Sequence, residues 1–397
     1  MNNRNIEVCE NIHYIGVNDR RTALFENLWP IPWGISYNAY LIRDEHHVLV
    51  DTVEAGHAGQ FLEQVRGVVG DEPIDYLVLN HVEPDHSGSL NEVLAAYPQI
   101  TVVGNEKTRG LITRFYGFDG RFLLVKENDV LSLGKKSLRF IMTPMVHWPE
   151  TMMTLEEDTH TLFTGDAFGS FGTLDGAIFD DEMDASFYQG EMRRYYANIV
   201  GKYSGMVQKA LKKLGGVTLN HICPTHGPIW REDPQRVISW YDAWSKQTVD
   251  PGVVIVFGSM YGHTESMADH LARMLVEEGV RKVRVFDASK THMSYILAEI
   301  WRYQGLMLGS CAYNTGMLPT MDALTRKLAS SGLANRVLGI FGNYSWSGGG
   351  VKSLETFAEE MGWESVGSSI EAQSVTIDTD EERLREMAKR MARKLRG

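Results

Sequence analysis

The sequence predicts a two-domain α/β chain whose second half is a doubly wound parallel sheet. Its 397 residues are two to three times the ~150 residues typical of one domain. The pattern changes near residue 250, where the polar stretch Lys246 to Gly252 (KQTVDPG) ends in Pro-Gly and reads as a linker. Beyond it, apolar runs of strand length alternate with helical patterns, the rhythm of a parallel sheet covered by helices. The expected domains are therefore residues 1–250 and 251–397.

Composition narrows the class. Hydrophobic residues make up 43% and charged residues 23% of the chain, ordinary values that exclude a disordered, collagenous or rod-like protein. A net charge of -12 argues against nucleic acid or an anionic membrane as main partner, because phosphates need a positive field. No apolar run approaches the ~20 residues that span a bilayer. The N-terminus lacks a basic region followed by an apolar core, so no secretory leader is expected. Cys9, Cys223 and Cys311 stand far apart with no CxxC pair, which excludes a disulfide scaffold and a four-cysteine metal centre. A cytoplasmic protein is the simplest expectation.

In the first half, short apolar strands such as Tyr76 to Asn80, Ile100 to Val103 and Leu138 to Met142 mix with polar turns. Directly after the first of these comes His81-Val82-Glu83-Pro84-Asp85-His86. Four potential metal ligands thus crowd into six residues, on a loop that Pro84 is expected to hold extended. Ser89 to Glu92 has the form of a capping box, predicting a helix that starts there. His147, Asp166 and His226 also fall just past apolar strands. Ligands at successive strand ends can converge in space although they are distant in sequence. A lone loop histidine or carboxylate is usually just solvated, but that reading would need seven coincidences here. His57, His160, His221, His263, His270 and His292 lack such company, and for them the plain reading holds.

The HxExDH spacing resembles the HxHxDH of the metallo-β-lactamase superfamily, with Glu83 where a histidine normally stands. Four imidazoles mixed with three carboxylates, Asp166 placed to bridge, suit iron; zinc also accepts these ligand types. The glutamate moves the balance towards a redox-active pair of irons.

In the second half, Val253 to Phe257 (VVIVF) is a continuous apolar run of buried-strand type. It is followed by Met267, Leu271, Met274 or Leu275, and Glu278 at helical spacing. The runs Val283 to Phe286, Gly305 to Leu308 and Val337 to Phe341 each precede a helical pattern, and Glu381 to Arg396 reads as an amphipathic helix packing on the sheet. Between the first strand and its helix lies Ser259-Met260-Tyr261-Gly262-His263-Thr264. Small and hydroxyl residues at such a turn offer backbone N–H groups and a helix N-terminus to a phosphate. The spacing is neither GxGxxG nor Walker A. Two further strand-end loops, Ser310-Cys311-Ala312-Tyr313-Asn314 and Asn343-Tyr344-Ser345-Trp346-Ser347-Gly348, combine flexible backbone with aromatic rings. That pairing suits a flat isoalloxazine.

Taken together, these motifs resemble the flavodiiron proteins, the A-type flavoproteins that include rubredoxin:oxygen oxidoreductases, over essentially the whole chain. The resemblance implies a metallo-β-lactamase-like αββα domain followed by a flavodoxin-like domain. By motif match, one iron takes His81, Glu83 and His147, the other takes Asp85, His86 and His226, and Asp166 bridges them. FMN would sit on the three loops just described. The middle loop departs from the family, which commonly has Ser-Pro-Thr where this chain has Ser310-Cys311-Ala312; one hydroxyl contact to FMN is lost. Tyr195 or Tyr196 resembles a tyrosine found near the diiron site of relatives. The implied activity is reduction of O2 to water, of NO to N2O, or both. The implied partners are an external electron donor such as rubredoxin and a second copy of the chain in a head-to-tail homodimer, or a tetramer. A zinc hydrolase with an accessory flavodoxin domain is the alternative, and Glu83 counts against it.

Overall fold

The computed structural model describes residues 6–396. The chain divides into two compact units, one running to Tyr196 and taking in Tyr203–Asp242, the other comprising Ala197–Lys202 and Ala243 onward.

The first unit is built on two sheets. Seven strands form one, in the order Ile6–Cys9, Ile12–Tyr14, Tyr40–Ile42, Val48–Val50, Tyr76–Val78, Thr101–Gly104 and Phe122–Leu124. Five strands form the other: Val130–Ser132, Ser137–Met142, Met152–Glu156, Thr161–Phe163 and His221–Cys223. Residues from both share one core, with Tyr40, Val50, Val78 and Val103 meeting Phe140, Met152, Phe163 and Cys223. At ~25 cal/mol per Å² of apolar surface removed from water, this shared face is what holds the layers together. Val48–Val50, Tyr76–Val78 and Thr101–Gly104 run parallel, as do Thr161–Phe163 and His221–Cys223. Their carboxyl ends therefore open into loops on common sheet edges.

The second unit is a parallel sheet in the order Val283–Asp287, Asp250–Gly258, Tyr303–Tyr313, Val337–Tyr344, closed by Glu364–Ser365 and Ile370–Gln373. Numbered along the chain this is 2-1-3-4-5, the flavodoxin-like order, with the crevice where the winding reverses. Helix His263–Glu277 buries Met267, Leu271, Met274 and Leu275 as the spacing predicts. Helix Asp378–Arg396 turns Leu384, Met387, Ala388 and Met391 into the same core, as expected for an amphipathic helix.

The linker expectation needs correcting. Asp250–Gly258 is one strand, so Pro251 and Gly252 lie inside it rather than in a connection. The sequence signal was real but local, because the pairing with Tyr303–Tyr313 shifts register between Asp250 and Val253. An irregularity of this kind accommodates a proline that cannot donate to the ladder.

Arg336 is the least ordinary member of the second core, at 1% exposure. Among the described residues it faces no carboxylate within bonding distance; instead Nε donates to Ile300 O at 2.9 Å, Nη2 to Trp301 O at 3.0 Å and Nη1 to Ala334 O at 2.6 Å. The first two carbonyls belong to the last turn of helix Met293–Arg302, where orphan acceptors and the helix dipole favour a cation. Arg336→Met keeps the apolar volume and strands these carbonyls. It should destabilise this unit by about 3 kcal/mol, read as a lowered denaturation midpoint at unchanged slope.

Candidate metal centre and flavin cradle

Each metal-ligand candidate emerges from a strand end of the first unit. His81, Glu83, Asp85 and His86 follow Tyr76–Val78, His147 follows Ser137–Met142, Asp166 follows Thr161–Phe163, and His226 follows His221–Cys223. The structure brings all seven together. Donor atoms of His81, Glu83, His147 and Asp166 lie within 4.8 Å of one another, and so do those of Asp85, His86 and His226. Asp166 faces both groups. Its Oδ2 is 3.0 Å from His147 Nε2 and 3.5 Å from His81 Nε2, while Oδ1 is 2.8 Å from His86 Nε2 and 3.7 Å from His226 Nε2.

The loop reaches this geometry differently from the expectation. Glu83 is extended, as a residue before proline should be, but Pro84–Ser87 is a short helical turn with the proline at its start. The turn swings Asp85 and His86 towards the second group. Nor is there a capping box. Ser89 precedes helix Leu90–Ala96 without a side-chain cap, and its hydroxyl donates to Val53 O at 2.8 Å. Tertiary demand for that hydroxyl outweighs the local cap.

The donor set fits divalent cations. Among the described residues, both oxygens of Asp85, and Nε2 of His86 and of His226, are buried without a well-formed hydrogen bond; they face one another at 3.2 Å between Asp85 Oδ2 and each imidazole, donors converging on one point as a cation requires. Burial favours a neutral His86 imidazole, but the Asp85 and Asp166 carboxylates outweigh it and raise its pKa to about 10. Burial likewise opposes charge on His147, yet Asp166 and Glu83 raise it to about 9. Burial pushes Asp85 up, but the His86 and His226 imidazoles prevail and hold it below the usual carboxylate range. In the metal-free protein, protons thus stand where cations would. Metal uptake must displace them, so affinity falls as pH falls.

Outer groups orient these ligands, and sequence reading missed them. Glu150, fully buried, accepts from Val82 N–H at 3.0 Å and pairs with His81 Nδ1 at 2.8 Å. Ser36 O holds His226 Nδ1 at 2.7 Å, and the Thr225 hydroxyl donates to Asp166 Oδ1 at 2.7 Å. Glu26 stands against Glu83; burial and that neighbouring carboxylate push its pKa up to about 7. Only the plain pattern of a carboxylate behind a ligand histidine could have pointed to Glu150. Of the two candidate tyrosines, Tyr195 faces the centre. Its ring is 5.5 Å from that of His226 and its buried hydroxyl has no hydrogen-bond partner among the described residues. Tyr196 instead pairs its hydroxyl with Ser204 at 2.9 Å.

In the second unit a cavity of about 480 Å³ opens at the winding reversal. Its lining brings together Ser259, Met260, Tyr261, His263 and Thr264 from the first loop, Cys311, Ala312, Tyr313 and Asn314 from the second, and Asn343 to Ser347 from the third. Gly262 adopts φ +90° at the start of helix His263–Glu277 and donates to Ser259 Oγ at 3.1 Å, a left-handed turn that favours glycine. The Thr264 hydroxyl is buried there without a hydrogen-bond partner among the described residues, which fits an anion at the helix N-terminus. Ser310 and Gly348 do not line the cavity. Ser310 Oγ is occupied by Leu318 N–H at 2.9 Å and Cys311 O at 2.8 Å. Thr315 lines the cavity although the sequence did not single it out.

Comparison with known proteins identifies both units. Residues 35–227 match the family model of the ODP family beta lactamase, and residues 255–395 match flavodoxin. The anaerobic nitric oxide reductase flavorubredoxin of Escherichia coli O1:K1 is 33% identical over 365 residues, covering 90% of this chain and 76% of that protein. The rubredoxin oxygen:oxidoreductase of Desulfovibrio gigas superposes with a TM-score of 0.95 at 31% identity, over 99% of both chains. The chain belongs to the flavodiiron protein family. The flavodiiron protein of Giardia intestinalis also superposes, with a TM-score of 0.94 at 25% identity over 99% of this chain and 97% of that one. The protein is accordingly an oxidoreductase with a metallo-β-lactamase-like domain followed by a flavodoxin domain, the family's FMN and diiron equipment included.

Two outcomes follow for this flavodiiron site. Glu150→Gln should weaken metal binding about 10–100-fold, measured by competition with a chelator. Asp51, 1% exposed at φ +57°, accepts from Asn80 N–H and His81 N–H. Burial raises its pKa from 3.8 to about 6, only partly offset by His86 and these N–H groups. A raised carboxyl contributes stability that is full below pH 3.8 and lost as pH rises through about 6. Asn tolerates the left-handed backbone, so metal-free Asp51→Asn should show a flatter stability profile than wild type across that window.

Proposed function

We propose that this protein reduces O2 to water, NO to N2O, or both, at a diiron centre in its first unit, with FMN and an external donor such as rubredoxin as the electron source. The observation that carries the reading is Asp166, whose two oxygens face two separate donor groups. His81, Glu83 and His147 would hold one iron, Asp85, His86 and His226 the other, with Asp166 between them. Two ferrous ions with a reduced FMN supply the four electrons that take O2 to two waters, and two electrons suffice to take two NO to N2O.

The chain's own residues set the conditions. Three carboxylates offset most of the positive charge of two divalent ions, so the centre needs no further protein anion. Glu150 and Ser36 O fix the tautomers and ring orientations of His81 and His226. Burial of His81, His86, Asp166 and His226 keeps bulk water from the donors. In the second unit, Ser259 to Thr264 would bind the flavin phosphate through N–H groups and hydroxyls, while Tyr344 and Trp346 offer rings for the isoalloxazine.

A head-to-tail homodimer completes the reading, in a cytoplasmic setting. Trp346 and Tyr261 stand 91% and 85% exposed beside the cradle, while Leu28 and Trp33 stand 51% and 60% exposed on the unit that carries the metal ligands. A second copy would cover such apolar surface. The zinc-hydrolase reading is not favoured, since Glu83 supplies a hard oxygen where that chemistry uses imidazole.

Protein from iron-replete cells should carry about two irons and one FMN per chain; an active preparation holding two zincs would overturn the reading. Thr264→Asp sets a second negative charge against the phosphate, costing several kcal/mol at a partly buried site. This variant should lose flavin absorbance and donor-driven turnover while its iron content stays unchanged.

A further inference from the structure

Among the described residues, the lining of the flavin cavity includes no Asp, Glu, Lys or Arg. A fixed charge beside it therefore acts without a counter-charge in the lining, and one carboxylate stands there. Strand Ile370–Gln373 pairs with Val337–Tyr344, with Glu371 opposite Gly342 and Gln373 opposite Tyr344. Alternate residues of a strand share a face, and this face meets the third loop of the cradle. Gln373 Nε2 donates to Ser345 O at 3.2 Å, which ties down the start of that loop. At its other end, a Cβ on Gly348 would come within 3.1 Å of Glu371 Oε1 and 3.2 Å of Oε2. The carboxylate occupies the space that a side chain at this position would need. Ser347 lines the cavity and Glu371 does not, so the charge lies behind the loop.

We propose that the Glu371 charge, set behind the Asn343 to Gly348 loop, lowers the reduction potential of the FMN and makes the reduced flavin a stronger electron donor. As the external donor is oxidised, FMN takes up two electrons and one proton and becomes its anionic reduced form. Reduction thus adds one negative charge to the cradle. The carboxylate repels that charge, and it acts little on oxidised FMN, whose ring is neutral. The inference rests on the family's FMN and not on what the metal centre does with the electrons.

A purely structural role for Glu371 fits less well. Gln373 shows that an amide on this face holds the loop by a hydrogen bond. Glu371 Oε1 is instead buried with no hydrogen-bond partner among the described residues, a state that native proteins rarely keep without a use. Helix Gly350–Met361 begins just beyond Gly348, with Gly349 at its N-cap and no side chain capping it. Its dipole favours an anion at this end, so the fold tolerates the carboxylate there. Charge also acts through space, and no contact with the flavin is needed. Two unit charges about 10 Å apart still shift an equilibrium severalfold at the effective dielectric of a partly buried site.

The test uses the full chain loaded with FMN, titrated with a chemical reductant against a reference dye. Glu371→Gln removes the charge and keeps the shape. Relative to oxidised FMN, it should hold reduced FMN about three- to tenfold more tightly than wild type does, read as a raised potential. Its affinity for oxidised FMN should be little changed. Glu371→Ala, which also lacks the charge, should raise the potential as well, whereas Glu371→Asp keeps the charge and should stay close to wild type. Gln373→Ala loosens the loop and should weaken oxidised and reduced FMN alike, leaving the potential where it was. An unchanged potential in both Glu371→Gln and Glu371→Ala would overturn the inference, as would an equal rise in Glu371→Asp. Loss of FMN from both uncharged variants would also overturn it, by making the residue structural. Holoprotein that reduces neither O2 nor NO would overturn the diiron reading alone, since the potential is measured without either gas.

Discussion

Three carboxylates and four imidazoles are packed out of water within one small volume, and the first unit is organised around that constraint. Left alone, so many donors in a low dielectric would repel one another or neutralise by taking up protons. The fold meets this by spacing them on four strand ends, so that no single loop must hold the set. Asp166 sits at the middle, one oxygen to each side. The outer hydrogen bonds from Glu150, Ser36 and Thr225 then remove the rotational freedom that the ligands would otherwise keep. Two sheets sharing one apolar core supply the rigidity that such placement needs.

The second unit solves an easier problem and looks different for it. A flavin phosphate is satisfied by N–H groups at a helix start, and a ring system by aromatic faces. Neither requires buried charge. The cradle is accordingly an open cleft with loops on three sides, and its most prominent ring, Trp346, is 91% exposed. Cys311 and Ala312 give the middle loop a less polar lining than a hydroxyl would.

Much of this was legible in the sequence because strand ends and candidate ligand residues are adjacent along the chain. His81 to His86, His147, Asp166 and His226 each follow a readable apolar run, and the alternation after residue 250 yields the parallel sheet. What stayed hidden depends on distant partners. Glu150 is 69 residues from the histidine that it orients, and Ser36 is 190 residues from His226. Ser89 has the sequence of a cap but spends its hydroxyl on Val53 O, a tertiary claim that no local pattern reports. Pro251-Gly252 was misread for a related reason: a break in pairing register looks, along the chain, just like a linker. Ser310 shares its loop with the cradle residues, yet its hydroxyl is committed to Leu318 and Cys311.

Arg336 carries a consequence of another kind. Most fixed cations in a protein lean on an anion, and salt in the medium erodes that attraction over a Debye length of roughly 8–10 Å. Arg336 leans on peptide dipoles inside a dry core, where mobile ions do not reach. Its grip on the end of helix Met293–Arg302 is therefore indifferent to the ionic strength around the protein. Surface pairs such as Arg385 with Glu277, or Arg390 with Glu386, have no such protection. A cell that concentrates or dilutes its salts would loosen or tighten the outer helices of this unit while the anchor beneath them keeps its hold.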